Sequence, residues 1–174
     1  MKPVSVAVLA ALHALVAVDA LAAPSCGEQV MSCTLRDGTK NLQVCLNGSD
    51  AVYRYGPPSG ALELEITTPV RTVDYLPWPG IGRDIWETVT FANGAFRYEV
   101  MSGFSRPLGE SDAAPSPTYG SIRITKEDAV IAELICDADS VEWGYGGGLF
   151  DAKTALGLCW EGHPIQAWEP CPNE

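Results

Sequence analysis

The stretch SCGEQVMSCTLRDGTKNLQVC, residues 25–45, contains three cysteines and an Asp-Gly pair flanked by alternating apolar residues. Asp37-Gly38 is a strong turn signal, and apolar residues that alternate with polar ones indicate a strand on each side of the turn. Both strands can place their apolar residues on one face only if odd-numbered residues lie opposite even-numbered ones. Cys33 would then lie opposite Leu42 or Val44 and point inward.

The six cysteines are expected to form three disulfides, because an even cysteine count behind an export segment is typical of an oxidising compartment. In the predicted hairpin Cys45 points outward, so a bond between Cys33 and Cys45 is disfavoured. Cys136 ends the alternating strand VIAELIC and provides the inward partner that Cys33 needs. We therefore predict the pairs Cys33–Cys136, Cys26–Cys45 and Cys159–Cys171, the last of which closes the tail.

Residues 1–23 have the layout of a secretory signal peptide. Lys2 precedes an apolar run, and Ala20-Leu21-Ala22 is a small-x-small cleavage site. The run is shorter than a bilayer span, so we expect a periplasmic or secreted protein that does not span the membrane. Lipidation of Cys26 is an alternative, but lipoprotein boxes usually have Leu where this chain has Ala23, and we favour cleavage.

The net charge of the 174-residue chain is -11, and cleavage after residue 23 would leave it unchanged. This acidity argues against nucleic-acid binding and favours a basic protein or a cell-wall component as partner. Residues 24–174 suit one domain with a real core. We expect no cofactor and no metal, because the chain has no CxxC pair and only one histidine beyond residue 23. The oligomeric state stays open.

The middle of the chain alternates strand patterns with turn signals, which predicts hairpin after hairpin. In IWETVTFANGAFRYEVM a two-residue Asn93-Gly94 turn would pair Phe91 with Phe96 and place Glu87 opposite Val100. That face would be buried. Glu87 on it would lie at the strand end near water or pair with a base, for which Arg71 and Arg123 are the candidates. A functional carboxylate is the less favoured alternative.

The predicted fold is all-β, an antiparallel sandwich or small barrel of about eight strands. No long amphipathic helix interrupts the strand patterns. One short helix is expected near the end of the chain, capped by Asp151 and stopped by Gly157, ahead of the disulfide-braced tail.

The sequence offers few residues for catalysis, so we predict that the protein is not an enzyme. His163 lies beside Gly and Pro and is best interpreted as a solvated turn residue. Asp137, Asp139 and Glu142 could serve a glycosidase or form a loose calcium loop, and whether they bind calcium stays open. Solvated acids at a strand end are the favoured interpretation.

Two glycine-rich aromatic loops give the best functional hint. They are YLPWPGIGRDIW, residues 75–86, and WGYGGGLF, residues 143–150. Large aromatic side chains in such loops either cover the core or contact a ligand. The predicted binding residues are Trp78, Trp86, Trp143 and Tyr145.

Cys33, Asp37-Gly38, the segments LQVC and AVYRYG, and Cys136 at the end of a late strand together resemble the periplasmic and membrane-bound inhibitors of C-type lysozyme. The resemblance implies a small β-barrel whose ends are joined by a disulfide, and a role in inhibition. More loosely, the whole chain is similar to uncharacterised exported proteins of Gram-negative bacteria.

Three functions are therefore considered. The leading one is a non-enzymatic periplasmic binding or protein-interaction domain of unknown ligand. The second is inhibition of a basic cell-wall hydrolase, which the acidity of the chain would favour. The third is a hydrolase that uses His163 or the acidic cluster near Asp139.

Overall fold

The computed structural model describes residues 26–107, 116–144 and 148–172, and the predicted signal peptide, residues 1–23, lies outside them. Twelve strands and one helix are formed by the described residues. They are β1 (Glu28–Leu35), β2 (Lys40–Asn47), β3 (Asp50–Gly56), β4 (Leu64–Pro69), β5 (Asp74–Leu76), β6 (Asp84–Asn93), β7 (Phe96–Ser105), β8 (Thr118–Lys126), β9 (Ala129–Ile135), β10 (Glu142–Trp143), α1 (Leu149–Ala155), β11 (Leu158–Glu161) and β12 (Ala167–Pro170).

The strands form two five-stranded antiparallel sheets and a separate hairpin. The first sheet has the order β10-β1-β2-β3-β4, the second β5-β6-β7-β8-β9, and β11 pairs with β12. The inner faces of the two sheets share one core, in which the rings of Tyr53 and Phe91 are 5.7 Å apart. The predicted all-β antiparallel sandwich is confirmed. The strand number exceeds the expected eight because β10, β11 and β12 have only two to four residues, too few for alternation to be visible.

The first hairpin forms in the predicted register. Cys33 lies opposite Leu42, and both side chains are buried in the core. All three predicted disulfides are present, as Cys33–Cys136, Cys26–Cys45 and Cys159–Cys171. The bond from Cys33 ties β1, in the first sheet, to the residue that follows β9 in the second, so it closes the sandwich at one corner.

The predicted register of the β6–β7 hairpin is wrong by two residues. Phe91 pairs with Tyr98 and Glu87 with Ser102, so the two loop residues are Gly94 and Ala95. Gly94 has a φ of 59°, and a two-residue loop that needs positive φ only at its first position places Gly there. A shift of two residues keeps the same side chains on the inner face. The buried face was therefore predicted correctly despite the register.

The short C-terminal helix is confirmed, but it begins earlier than expected. The helix α1 starts at Leu149 after Gly148, so Asp151 lies in its first turn instead of capping it. It ends before Gly157, whose φ is 76°. Within the described ranges, no helix has the length and hydropathy needed to cross a bilayer.

Asp137 fastens the β1–β2 turn to the end of β9. Its carboxylate accepts hydrogen bonds from the Thr34 hydroxyl at 2.8 Å and from the backbone N–H groups of Gly38 at 2.8 Å and Asp37 at 3.1 Å. The bond from Thr34, with smaller contributions from these N–H groups, lowers the pKa of Asp137 below its ordinary value. A carboxylate that is stabilised in this way strengthens the fold while it is ionised.

We expect Asp137→Asn to lower the free energy of unfolding at neutral pH. Because the folded-state pKa is depressed, this contribution is present above the unfolded pKa of about 4 and is lost as the pH falls through the folded pKa. The difference in free energy of unfolding between wild type and variant should therefore be smaller in acid than at neutral pH. Urea unfolding under the two conditions would measure it. Asp139→Asn is the matched control, since Asp139 is exposed and its φ of 60° suits Asn. Equal destabilisation by the two variants at neutral pH would contradict the assignment.

Candidate functional site

The tail hairpin presents two tryptophans on one face. Trp160 of β11 lies directly opposite Trp168 of β12, and directly opposite residues in a hairpin point to the same side. Their ring centroids are 5.5 Å apart. The Cys159–Cys171 disulfide closes the hairpin, and the N–H of Cys171 donates to the carbonyl oxygen of Gly157 at 2.9 Å. The two indoles are therefore held on a braced element.

Trp168 lies at the centre of an aromatic cluster that docks this hairpin on the sandwich. Its ring stacks on Tyr75 of β5, with centroids 5.9 Å apart, and meets Phe150 of α1 edge-on at 5.2 Å. Its indole N–H donates to the carbonyl oxygen of Tyr75 at 2.8 Å. The hydrogen bond and the two ring contacts fix the orientation of the Trp168 indole.

A cavity of about 490 Å³, open to solvent, lies beside the cluster, and we call it the tail cavity. Its walls come from residues 71–76, from α1 and from the tail hairpin. This volume falls within the usual range for small-molecule sites. The walls include three aromatic and three charged side chains, which are Tyr75, Trp160, Trp168, Arg71, Asp74 and Lys153.

Lys153 is the unusual residue of the tail cavity, because its side chain is only 2% exposed. It lies four residues after Leu149, so both point to the buried face of α1. Its Nζ atom is 3.5 Å from the carbonyl oxygen of Arg71 and 5.5 Å from the centroid of the Trp168 ring. Burial lowers the pKa of Lys153 below the ordinary value for lysine, and the Asp74 carboxylate offsets part of that shift.

No carboxylate of the described residues lies within ion-pair distance of the Lys153 ammonium group. None of the five ion pairs formed by the described residues includes Lys153. Asp74 is bound by Arg97, whose Nη2 atom lies 2.7 Å from Oδ2. Arg71 is a second cation on the cavity wall, and its Nη2 donates to the carbonyl oxygen of Leu156 at 2.9 Å. The tail cavity is therefore locally cationic in a strongly acidic protein.

Of the four predicted binding residues, Trp78 and Trp86 lie away from the core. The Trp78 indole N–H donates to the carbonyl oxygen of Ile81 at 3.2 Å, and the Arg106 guanidinium lies 4.8 Å from its ring centroid. Trp86 lies between inward-facing residues of β6, so it points to the outer face of the second sheet. Both side chains are half-buried.

Trp143 belongs to β10 of the first sheet, and its side chain contacts the inner face of the second sheet, whereas Tyr145 is outside the described residues. The Trp143 ring is 6.1 Å from that of Phe104, and its indole N–H donates to Glu87 at 3.2 Å. Trp143 and Trp86 thus lie on opposite sides of the sheet and do not share a surface. Trp143 covers the core, as the alternative interpretation of these aromatic residues proposed. The predicted role of the four residues in binding stays a prediction.

Glu87 is buried in the core, and its expected partners were wrong. It accepts hydrogen bonds from the Tyr75 hydroxyl at 2.7 Å and from the indole N–H of Trp143 at 3.2 Å. Arg71 bonds a backbone carbonyl, whereas Arg123 pairs with exposed acids on the outer face. Both of these donors are neutral, and each hydrogen bond offsets part of the cost of burying the carboxylate.

The residues considered for catalysis lie apart from the tail cavity walls. Asp137 is engaged by the β1–β2 turn, and Glu142 accepts from the side chain of Gln29 at 2.9 Å. Asp139 and His163 are exposed. In the part of the chain that the structure describes, no three His, Cys, Asp or Glu side chains come together as a metal ion would require.

A second cavity of about 490 Å³ lies on the outer face of the first sheet. Arg54 on its wall is buried, and its Nε donates to Glu65 at 2.8 Å. The Nη2 atom of Arg54 makes no hydrogen bond. The described lining residues of this cavity include no aromatic side chain. We therefore favour the tail cavity as the candidate site.

Sequence reasoning missed Trp160, Trp168 and Lys153. The signal was present in the predicted Cys159–Cys171 bond, which makes the tail a hairpin. Each tryptophan lies within three residues of a bonded cysteine, so pairing of the two strands would have placed the indoles side by side. Lys153 could have been found from its spacing of four residues after Leu149, once a helix was expected there.

The fold and the tail cavity define a disulfide-braced β-sandwich with an aromatic, cationic cleft. Comparison of the chain with protein-family models, with curated proteins and with solved structures found no match. The resemblance to inhibitors of C-type lysozyme stays a prediction. The case for a function therefore rests on the residues of this chain.

Proposed function

We propose that the protein is an exported, non-enzymatic binding domain and that its ligand site is the tail cavity. Three disulfides use all six cysteines. Such bonds persist in oxidising compartments, which supports localisation in the periplasm or outside the cell.

The single observation that carries this proposal is the combination of aromatic walls and one buried cation in an open cavity. Small-molecule sites are concave and mostly apolar, with a few placed polar groups that fix the orientation of the ligand. The tail cavity is concave in this way, although its wall is more polar than apolar, and it presents Trp160 and Trp168 as aromatic surfaces and Lys153 as the buried polar group. The disulfide and the hydrogen bond from Trp168 order the wall in advance, which reduces the entropy lost on binding.

The non-enzymatic part of the proposal is supported by the position of the reactive side chains. His163 lies exposed in the turn of the tail hairpin, and Asp137 holds the β1–β2 turn. A general acid or base must reach the atom whose proton it transfers. The side chains that the sequence offered for this task serve other contacts or lie in solvent.

Replacing Trp160 with Ala is expected to weaken ligand binding by about tenfold or more, because a stacking wall is lost. The purified protein would be screened with benzoate, phenyl phosphate, benzamide and methyl glucoside at millimolar concentrations. Tryptophan fluorescence and the melting temperature would report binding, and each compound that binds would be titrated against the variant.

Trp86→Ala is the matched control, because Trp86 is half-buried on the outer face of the second sheet. We expect this variant to bind with wild-type affinity. The proposal would be overturned if none of the probes binds. It would also be overturned if Trp86→Ala abolished binding and Trp160→Ala did not.

A further inference from the structure

We propose that the ligand of the tail cavity is a small organic anion with a flat ring, whose charged group is bound by Lys153 and whose ring lies against Trp160. This inference rests on the proposed function and specifies its ligand class. A carboxylate and a phosphate monoester share the required chemistry, and the experiment below has an arm for each.

The first step is that Lys153 forms no ion pair with a carboxylate of the described residues. A buried ammonium group is unfavourable unless it is paired or well hydrogen-bonded. Here its contacts are one long bond to the carbonyl oxygen of Arg71, at 3.5 Å, and the face of the Trp168 ring. Asp74 on the same wall acts on Lys153 but forms its ion pair with Arg97. An anionic ligand in the adjoining cavity would supply a closer counter-charge.

The second step is the positive charge of the cavity wall. Lys153 and Arg71 are two cations on its wall, and Asp74 is the one acid among its described lining residues. Asp74 is already bound by Arg97 at 2.7 Å, so its charge is largely compensated. Elsewhere the chain is acidic, with a net charge of -11. A locally positive cleft in a negative protein attracts anions to that one place.

The third step is the shape of the wall. Trp160 and Trp168 lie side by side on one face of the hairpin, and Trp168 is already covered by Tyr75 and Phe150. Both indoles are half-buried, but among the described residues Trp168 has three ring partners and Trp160 has one, so we assign the ligand to the Trp160 ring. Flat rings stack on indole faces in offset or tilted arrangements. A ligand with a ring joined to an acidic group could stack on Trp160 and pair with Lys153 at the same time.

The test compares three probes of similar shape by isothermal titration calorimetry. We expect benzoate or phenyl phosphate to bind about tenfold or more tightly than the neutral benzamide, because charge-assisted hydrogen bonds are about twice as strong as neutral ones. Lys153→Met should remove this preference. Its melting temperature should rise by about 2–4 °C, since a buried charge has been removed. A rise would show that lost binding is not caused by unfolding.

Lys126→Met is the matched control, because Lys126 also lies 5.5 Å from an aromatic ring, that of Phe96, but is exposed at the far end of β8. This variant should retain the preference for the anions. If benzamide binds as well as benzoate and phenyl phosphate do, in a manner that depends on Trp160, the anion inference is wrong and the proposed function stands. Unchanged anion binding in Lys153→Met would also overturn it. If none of the probes binds, both fall.

Discussion

Replacing both Cys33 and Cys136 with Ala is expected to lower the free energy of unfolding by about 4 to 5 kcal/mol. The two cysteines are separated by 103 residues, so their bond restricts the unfolded chain far more than a local bond would. Cys33 is also buried in the core, and its loss removes packing between the sheets. Urea unfolding of the purified variant, followed by far-UV circular dichroism, would measure the change.

The control for this experiment is the tail bond. Cys159 and Cys171 are only 12 residues apart, so replacing both with Ala should cost about 3 kcal/mol. A larger loss from the tail bond than from the bond between the sheets would contradict the predicted effect.

Replacing Phe91 with Ala is expected to lower the free energy of unfolding by about 3 to 5 kcal/mol. Phe91 is fully buried and lies on the inner face of β6. Its ring meets that of Tyr53, which belongs to the opposite sheet, at 5.7 Å. Truncation therefore removes a contact that holds the two layers together and leaves a cavity. Thermal and urea unfolding would report the loss.

Phe96→Ala provides the comparison within the same hairpin. Phe96 is half-buried beside the Gly94-Ala95 loop, where its ring lies near Lys126. We expect a loss of about 1 kcal/mol, because few contacts disappear at such a position. Similar losses at both positions would mean that Phe91 does not lie between two packed sheets.

Most of the sandwich could be predicted because period-two alternation decides which side chains face inward. This alternation predicted that Cys33 and Leu42 both point inward, and it also predicted Cys136 as the disulfide partner of Cys33. The β6–β7 register could not be predicted in this way, since a shift of two residues leaves both faces unchanged. The choice between Asn93-Gly94 and Gly94-Ala95 depends on backbone angles that the sequence pattern does not specify.

The candidate site was less predictable than the sandwich, because it is assembled from segments far apart in the chain. Tyr75 belongs to a three-residue strand, and Trp168 reaches it from the tail. Glycine-rich loops drew attention to Trp78 and Trp143, but a local hydrogen bond to Ile81 holds the first indole and a long-range one to Glu87 holds the second. Lys153 appears as an ordinary surface residue until the helix is oriented. Such features depend on tertiary contacts that no local pattern encodes.

A ligand site in the tail cavity would account for the buried position of Lys153. Met in place of Lys153 would pack on Trp168 without a charge to desolvate, and we expect it to give a more stable protein. Residues that reduce stability are commonly retained for binding or catalysis. The aromatic wall beside Lys153 is the part of the described structure that best fits a role in ligand binding.

The most direct test is a two-dimensional ¹⁵N–¹H spectrum of the five tryptophan indoles during titration with benzoate and phenyl phosphate. The indole signals of Trp160 and Trp168 should shift in a saturable manner, while those of Trp78 and Trp86 stay in place. Shifts confined to Trp78 and Trp86, or no saturable shift of any indole, would contradict a ligand site in the tail cavity.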